Sequence, residues 1–161
     1  MASEFKIGSK WVGEGHPAFI IAEVGSNFDG SLEKAKKMVD LAKECGADAI
    51  KFQSFLVDKI INRVAFDKGS DADFQKKWGK KVTGVYKQAE FPREWHAEIS
   101  EYCKKRGIIF FSSPYDEEAV DLLDELGVPA YKIGSGDVTF LQLVEYIAKK
   151  GKVTTKTLRA Y

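Results

Sequence analysis

The sequence has few residues of the kinds that build disulfides or metal sites. It contains only two cysteines, Cys45 and Cys103, and only two histidines, His16 and His96. The cysteines do not form a C-x-x-C pair, so we predict two reduced thiols, as expected of a cytoplasmic protein. Neither histidine has a metal ligand near it in the sequence, and both are predicted to be ordinary surface or half-buried residues.

An excess of one charge and a long apolar run are also missing. Lysine and arginine number 25 against 24 acidic residues, which leaves a formal net charge of +1. This balance gives no reason to expect nucleic acid or a membrane surface as a partner. No apolar run approaches the roughly 20 residues that a bilayer requires, and the first ten residues lack the apolar centre of an export signal.

What the sequence does have is a regular alternation of apolar strands and amphipathic helices. Helix caps are predicted at Ser31, at Asp116, and at a Thr139/Gln142 capping box. Four apolar strands are predicted, at 19–26, 47–55, 108–116 and 129–137. Each is followed, directly or after an insertion, by a predicted helix, at 31–46, 92–107, 116–127 and 139–151.

The alternation predicts an α/β protein with four consecutive parallel β/α units. Two architectures fit the pattern: an open doubly wound sheet, or roughly the first half of a (β/α)8 TIM barrel. The barrel is favoured because all four strands carry polar residues toward their carboxyl ends, where a barrel places its site. A long polar segment, at about 56–90, interrupts the second unit. It is predicted to be a lid or substrate loop, with a simple surface excursion as the alternative.

Two of the apolar strands contain a lysine, with a serine three residues further on. Lys51 precedes Ser54 in AIKFQS, and Lys132 precedes Ser135 in AYKIGSGD. An unpaired ammonium group is costly to bury, so each lysine needs a negative partner. A phosphate or carboxylate ligand bound by both lysines, with the serines as neutral donors, would satisfy this requirement.

A purely structural explanation stays open, in which each lysine pairs with a carboxylate of the chain itself. Glu23 and Asp137 are the candidates for that role. Glu23 could equally accept a proton or hold a sugar hydroxyl group. Of the neighbours Ser112 and Ser113, one is expected to face inward and the other outward, because strand side chains alternate.

Segments 19–55, 91–123 and 126–152, with the motifs KFQ and YKIGSGD, closely resemble the N-terminal half of the sialic acid synthase family. The resemblance implies a transferase of carbohydrate biosynthesis that forms a carbon–carbon bond. Such enzymes condense phosphoenolpyruvate with an N-acetylated sugar aldehyde, such as N-acetylmannosamine, and release phosphate. They use a divalent metal, Mn or Mg.

The same resemblance implies roles for eight residues of this sequence. Glu23 and Asp137 would be catalytic, Gln53 would contact the sugar, and Tyr115 would line the site. The ligands of phosphoenolpyruvate would be Lys51, Ser113, Lys132 and Ser135.

The sequence departs from the family in two places. Phe28, in NFDG, stands where the family commonly has a histidine, which puts a substrate contact there in doubt. After Lys152 the chain continues with VTTKTLRAY, whereas the family has further strand–helix units that supply its metal-binding histidines. We therefore expect an N-terminal segment at 1–18, a partial barrel at 19–152, a divergent tail at 153–161, and no metal ligands in this span.

These expectations lead to three functional hypotheses. The first is a truncated copy of a sialic-acid-synthase-type enzyme that retains the phosphoenolpyruvate half-site. The second is a non-catalytic half-barrel that serves as a binding or structural module. The third is a barrel aldolase that forms a Schiff base through one lysine. A half-barrel exposes strand edges and interior, so we also expect a homo-oligomer, such as a two-fold dimer.

Overall fold

The structure is a computed structural model that describes residues 4–62 and 82–156. Its strands and helices are numbered here in chain order. They are β1 (Phe5–Ile7), β2 (Lys10–Val12), β3 (Ile21–Gly25), α1 (Leu32–Glu44), β4 (Ala49–Ser54), α2 (Val57–Ile60), α3 (Val82–Ala89), α4 (Trp95–Arg106), β5 (Ile109–Pro114), α5 (Glu117–Glu125), β6 (Ala130–Ile133), α6 (Leu141–Lys149) and β7 (Val153–Lys156). None of these described helices is long and apolar enough to cross a membrane.

The strands after the first two are parallel, which confirms the predicted α/β class. Strands β3, β4 and β5 form one sheet in that order, and β6 pairs with β7. Strands β5 and β6 lie next to each other, although the described residues form no hydrogen-bonded ladder between them. The carboxyl ends of β3 to β6 therefore lie on the same side of the molecule.

The predicted count of four strands is not confirmed, because the structure has a fifth parallel strand, β7. It lies within 153–161, where we expected a divergent tail, and it pairs Val153 with Ala130 of β6. The consecutive β-branched residues Val153, Thr154 and Thr155 suit a pleated strand even though the segment is not apolar throughout. The expected tail beyond Lys156 lies outside the described residues.

Two of the three predicted helix caps are confirmed. The Ser31 side chain accepts a hydrogen bond from the backbone N–H of Lys34, and the Asp116 side chain caps α5 in the same manner. The predicted Thr139/Gln142 capping box is wrong. Helix α6 begins only at Leu141, without a side-chain cap, because a hydrogen-bonded backbone turn occupies the residues before it.

The N-terminal segment forms an antiparallel hairpin, β1–β2, that the sequence did not predict. Ile7 is buried, and the turn residue Gly8 adopts a positive φ of 61°. A methyl group at Gly8 would lie 3.1 Å from the Ile109 side chain and 4.0 Å from Pro129. The hairpin turn therefore packs against the amino ends of β5 and β6.

Helices α1, α4, α5 and α6 pack on one face of the strands and bury most of the apolar core. An aromatic cluster lies in it: the ring of Phe52 stacks on Phe91, and Phe28 contacts Phe91 edge to face. A second, smaller cluster around Phe55 and Val57 joins the carboxyl end of β4 to helix α2. These two clusters position the strand ends that carry the polar residues.

The long loop expected at about 56–90 is helical at both of its ends. Helix α2 follows β4, and α3 precedes the turn that leads into α4. The remainder of the predicted lid, residues 63–81, lies outside the described residues. Its proposed role in substrate binding stays a prediction.

Candidate functional site

Four of the predicted site residues lie on one face of the sheet, near the strand carboxyl ends. The parallel pairing of β3 with β4 places Glu23 opposite Lys51, and that of β4 with β5 places Gln53 opposite Ser113. Lys51 and Gln53 share a face because they are two positions apart on one strand. The sheet therefore gathers an amine, a carboxylate, an amide and a hydroxyl group on a single surface.

Lys51 forms an ion pair with Glu23. The Lys51 side chain is almost fully buried, whereas the Glu23 side chain is about half exposed. One Glu23 oxygen contacts the Lys51 amine, and the other accepts a hydrogen bond of 3.0 Å from the backbone N–H of Gly25. Lys51 therefore pairs with a carboxylate of the chain itself, as the structural explanation expects.

Lys132 is in a different situation. Its amine donates to the backbone carbonyl of Ile133 at 2.7 Å, and no carboxylate of the described residues lies within 4.0 Å of it. Burial lowers the pKa of Lys132 from its ordinary value, and the positive charge of Lys51 lowers it further. Glu23 and Asp137 partly oppose this shift. Lys132 is a half-buried cation that uses one of its three donors within the described structure.

Asp137 lies near Lys132, and Tyr115 lies near Asp137 and Glu23. Burial raises the pKa of the Asp137 carboxyl group above its usual range, and the charge of Lys132 partly opposes the rise. Burial, followed by the charges of Asp137 and Glu23, raises the pKa of Tyr115 to about 12. Tyr115 is therefore a neutral hydroxyl donor at pH 7.

The two neighbouring serines of β5 point to opposite sides, as predicted. Ser113 is buried on the face that carries Gln53, whereas the Ser112 hydroxyl group lies 2.7 Å from that of Ser54 on the helix side. The suggestion that Ser54 joins the lysines at the site is therefore wrong. Three positions along a strand lead to the opposite face. Ser135 follows the end of β6 and is exposed.

His96 is fully buried, so its prediction as a surface or half-buried residue is also wrong. Its Nδ1 donates to the carbonyl of Pro92 at 3.0 Å, and its Nε2 accepts from the Ser54 hydroxyl at 2.7 Å. Burial lowers the pKa of His96 to about 4. Helical spacing from the apolar Ile99 and Cys103 was the signal that could have placed it in the core.

A cleft of about 420 Å³ opens beside these polar groups. Its walls come from the ends of β4 and β5, the turn after β6, and helices α2 and α3. The lining residues are Gln53, Phe55, Ile60, Ile61, Tyr86, Tyr115 and Asp137. The cleft therefore combines an apolar wall with amide, carboxyl and phenol groups.

Phe28, the departure noted in the sequence, is part of the core. It is fully buried, and its ring centroid lies 5.4 Å from that of Phe91 and 6.1 Å from that of Trp95. A side chain in this position packs against helix α4 and not toward the lysines. Phe28 therefore belongs to the apolar core and not to the described polar site.

The described residues do not supply a metal site. No group of three histidine, cysteine, aspartate or glutamate side chains comes close enough among them to hold an ion. Glu23, the carboxylate that faces Lys51, is already paired with that lysine. The divalent metal that the family resemblance implies therefore has no ligand set in the part of the chain described here.

Similarity to known proteins identifies the family of this chain. The sequence model of the NeuB family matches residues 38–155, which is most of the chain. The chain belongs to the NeuB family. Over 143 residues it is 42% identical to human N-acetylneuraminate-9-phosphate synthase, a match that covers 89% of this chain and 39% of that protein. It is 39% identical over 154 residues to the N,N'-diacetyllegionaminic acid synthase of Legionella pneumophila, covering 93% of this chain and 42% of that protein.

A solved structure of a sialic acid synthetase has a similar fold. The N-acetylneuraminic acid synthetase of Leptospira borgpetersenii, crystallised in complex with citrate, superimposes with a TM-score of 0.79 at 30% identity. The match covers 97% of this chain and 50% of that one. The chain thus spans about two fifths of the length of the curated NeuB relatives described here, and it shares the fold of a sialic acid synthase over almost all of its own length.

Proposed function

We propose that this NeuB-family chain carries the phosphoenolpyruvate-binding part of an enzyme that condenses phosphoenolpyruvate with an N-acetylated sugar aldehyde and releases phosphate. The observation that carries the proposal is the position of Lys132. It is a half-buried amine beside Lys51, with one backbone hydrogen bond and no carboxylate within 4.0 Å among the described residues. A multiply charged anion would stabilise both lysines at once.

The pairing of Lys51 with Glu23 fits the same reaction. An anion that attracts the Lys51 amine competes with the Glu23 carboxylate for it. Once released, Glu23 can accept a proton or a sugar hydroxyl group, which is the catalytic role that the family resemblance gives it. When the substrate binds, the ion pair between Lys51 and Glu23 is thus replaced by one between Lys51 and the substrate anion.

The remaining roles are those that the family resemblance implies. Ser113, on the inner face, and Ser135, after β6, supply neutral donors to the anion. The cleft takes the sugar aldehyde, with Gln53 as the polar contact and Tyr115 beside Asp137 at its edge. Asp137 acts with Glu23 in proton transfer. When bound, a divalent metal would polarise the aldehyde oxygen, and we assign none of its ligands to the residues described here.

The test is a calorimetric titration of the 161-residue chain with phosphoenolpyruvate. We expect binding that Lys132→Met weakens at least tenfold, because one charge-assisted contact is worth about 1.5–3 kcal/mol. Lys104→Met is the matched control, since Lys104 is an exposed lysine of α4. Absence of binding to the wild-type chain, or equal binding by both variants, contradicts the proposal and supports a non-catalytic module.

A Schiff-base aldolase is the second candidate, and the lowered pKa of Lys132 favours it. A buried amine beside another cation is more often neutral and therefore more nucleophilic. Borohydride reduction in the presence of pyruvate distinguishes the two reactions. An adduct located by mass spectrometry on Lys132 supports the aldolase, and an unmodified chain that still binds phosphoenolpyruvate supports the condensation.

A further inference from the structure

The turn that follows β6 folds Asp137 back over Gly134. The backbone N–H of Asp137 donates to the Gly134 carbonyl at 3.1 Å, and the Asp137 carbonyl accepts from the N–H of Phe140 at 2.9 Å. These two hydrogen bonds fix the backbone on both sides of Asp137. Its side chain then lies directly above the Cα atom of Gly134.

The space above Gly134 is filled by two side chains of the site. A methyl group built on Gly134 would collide with the Oδ2 atom of Asp137. It would also lie 3.5 Å from the Asp137 Cγ atom and 3.5 Å from the Tyr115 hydroxyl oxygen. Gly134 does not have a positive φ, so its backbone conformation does not require glycine. In this arrangement, glycine is required at position 134 because the neighbouring side chains leave no room for a Cβ atom.

Gly136, two residues further along the same turn, provides a contrast. A methyl group there would have no heavy atom within 4 Å outside its own chain neighbours, and its φ is not positive either. The two glycines therefore differ in the space above them, which the Asp137 carboxyl group and the Tyr115 hydroxyl group occupy at Gly134 and which is open at Gly136.

We propose that Gly134 is a positioning residue: because it has no side chain, the Asp137 carboxyl group can lie over the end of β6, close to Tyr115 and Lys132. The inference deepens the proposed function, on which its significance for substrate binding rests. The geometry itself does not depend on any ligand.

A larger residue at position 134 displaces Asp137 without unfolding the turn. The atom in collision is the free end of a side chain, so rotation about the Asp137 side-chain bonds relieves the contact. The carboxyl group then moves away from Lys132 and Tyr115 and into water. The expected consequence is a relocated charge, with little change in stability.

The environment of Asp137 provides a direct readout of its position. The titratable groups around it are Lys132 from β6, Tyr115 from the end of β5 and, in the same cleft, Tyr86 of α3. The charges of Lys51 and Glu23 act on Lys132 in turn. Burial holds the pKa of the Asp137 carboxyl group above the usual range. A carboxyl group rotated into solvent loses that burial, and its pKa falls toward the ordinary value of about 3.9.

The experiment is an NMR pH titration of aspartate carboxyl carbons in the wild-type chain, Gly134→Ala and Gly136→Ala. The Asp137 signal is assigned by its loss in Asp137→Asn, and thermal unfolding is followed in parallel. We expect the Asp137 pKa to fall in Gly134→Ala and to stay at the wild-type value in Gly136→Ala. The melting temperatures of both variants should remain near that of the wild-type chain.

An unchanged Asp137 pKa in Gly134→Ala, or an equal fall in both variants, overturns the inference. Unfolding of Gly134→Ala also overturns it, because the contact would then be structural and not positional. None of these outcomes requires phosphoenolpyruvate. Failure of the wild-type chain to bind that ligand would overturn the proposed function and leave the result for Gly134 standing.

Discussion

The amine of Lys51 is buried against the carboxylate of Glu23, its direct neighbour across the parallel pairing of β3 with β4. Lys132, the other lysine of the site, contacts a backbone carbonyl instead. The two amines are close enough for the charge of one to lower the pKa of the other. Among the described residues, the site thus holds one cation that is paired with a carboxylate and one that is not, which is an arrangement suited to attracting an anion.

Removing the Glu23 charge should change stability and anion binding in opposite directions. In Glu23→Gln the buried Lys51 amine keeps a hydrogen-bond acceptor but loses its counter-charge. We expect a loss of about 1–2 kcal/mol in the free energy of unfolding, less than for a fully buried pair, because Glu23 is half exposed. Affinity for phosphoenolpyruvate should rise several-fold, since the competing carboxylate is gone. Urea unfolding and calorimetry measure the two effects.

Glu118→Gln is the control for this prediction. It removes the exposed ion pair with Lys59, in which both side chains are largely solvated. An exposed pair of this kind contributes about 0–1 kcal/mol, so neither stability nor anion affinity should change appreciably. A fall in both quantities in Glu23→Gln would mean that Glu23 helps to bind the anion and does not compete with it.

The adjacent serines of β5 should respond to alanine substitution in different ways. Ser113→Ala should weaken phosphoenolpyruvate binding about tenfold, because it removes a hydroxyl group from the inner face. Ser112→Ala should leave binding unchanged and lower the free energy of unfolding by about 1 kcal/mol, since its hydroxyl group bonds to Ser54. Each variant is the control for the other. The same pattern in both would refute the assignment of the faces.

His96 should make the protein less stable as the pH falls below neutrality. Its pKa is about 4 in the folded protein against an ordinary value of 6.5, so between these values the unfolded chain binds more protons. The stabilisation is complete above pH 6.5 and is lost as the pH falls toward 4. At pH 4.5 the loss is about 2–3 kcal/mol relative to pH 7. Urea unfolding at the two pH values measures it.

His96→Gln isolates this contribution from that of the carboxyl groups. The variant keeps a side chain able to bond Ser54 but cannot take up a proton in this range. The difference in stability between pH 7 and pH 4.5 should therefore be smaller by about 2–3 kcal/mol in the variant. If both proteins lose the same amount, His96 is not held in its neutral form by the fold.

The gathering of Glu23, Lys51 and Gln53 was predictable from sequence, because parallel strands bring their carboxyl ends to one side whatever their exact register. Errors arose where the direction of a side chain mattered. Ser54 follows a lysine at the same spacing as Ser135, yet its position within a strand turns it toward helix α4 and His96. A motif spacing predicts proximity only when the boundary of the strand is known.

Other features depended on tertiary contacts that no local pattern specifies. The strand that begins at Val153 forms because β6 offers it a free backbone edge. Burial of His96 depends on a serine hydroxyl group that is 42 residues away in sequence. The role inferred for Gly134 depends on where the turn returns Asp137. The glycine itself was visible in the motif GSGD, but the side chain above it was not.

The β1–β2 hairpin covers one end of the parallel strands. Because its turn, at Gly8, packs against Ile109 and Pro129, the hairpin lies over the amino ends of β5 and β6. The cleft bordered by Ile60 and Tyr86 lies at the opposite end, beyond the carboxyl ends of β4 and β5. In the described residues, one end of the parallel strands is therefore covered by the chain's own N-terminal segment, and the other end carries the polar cleft.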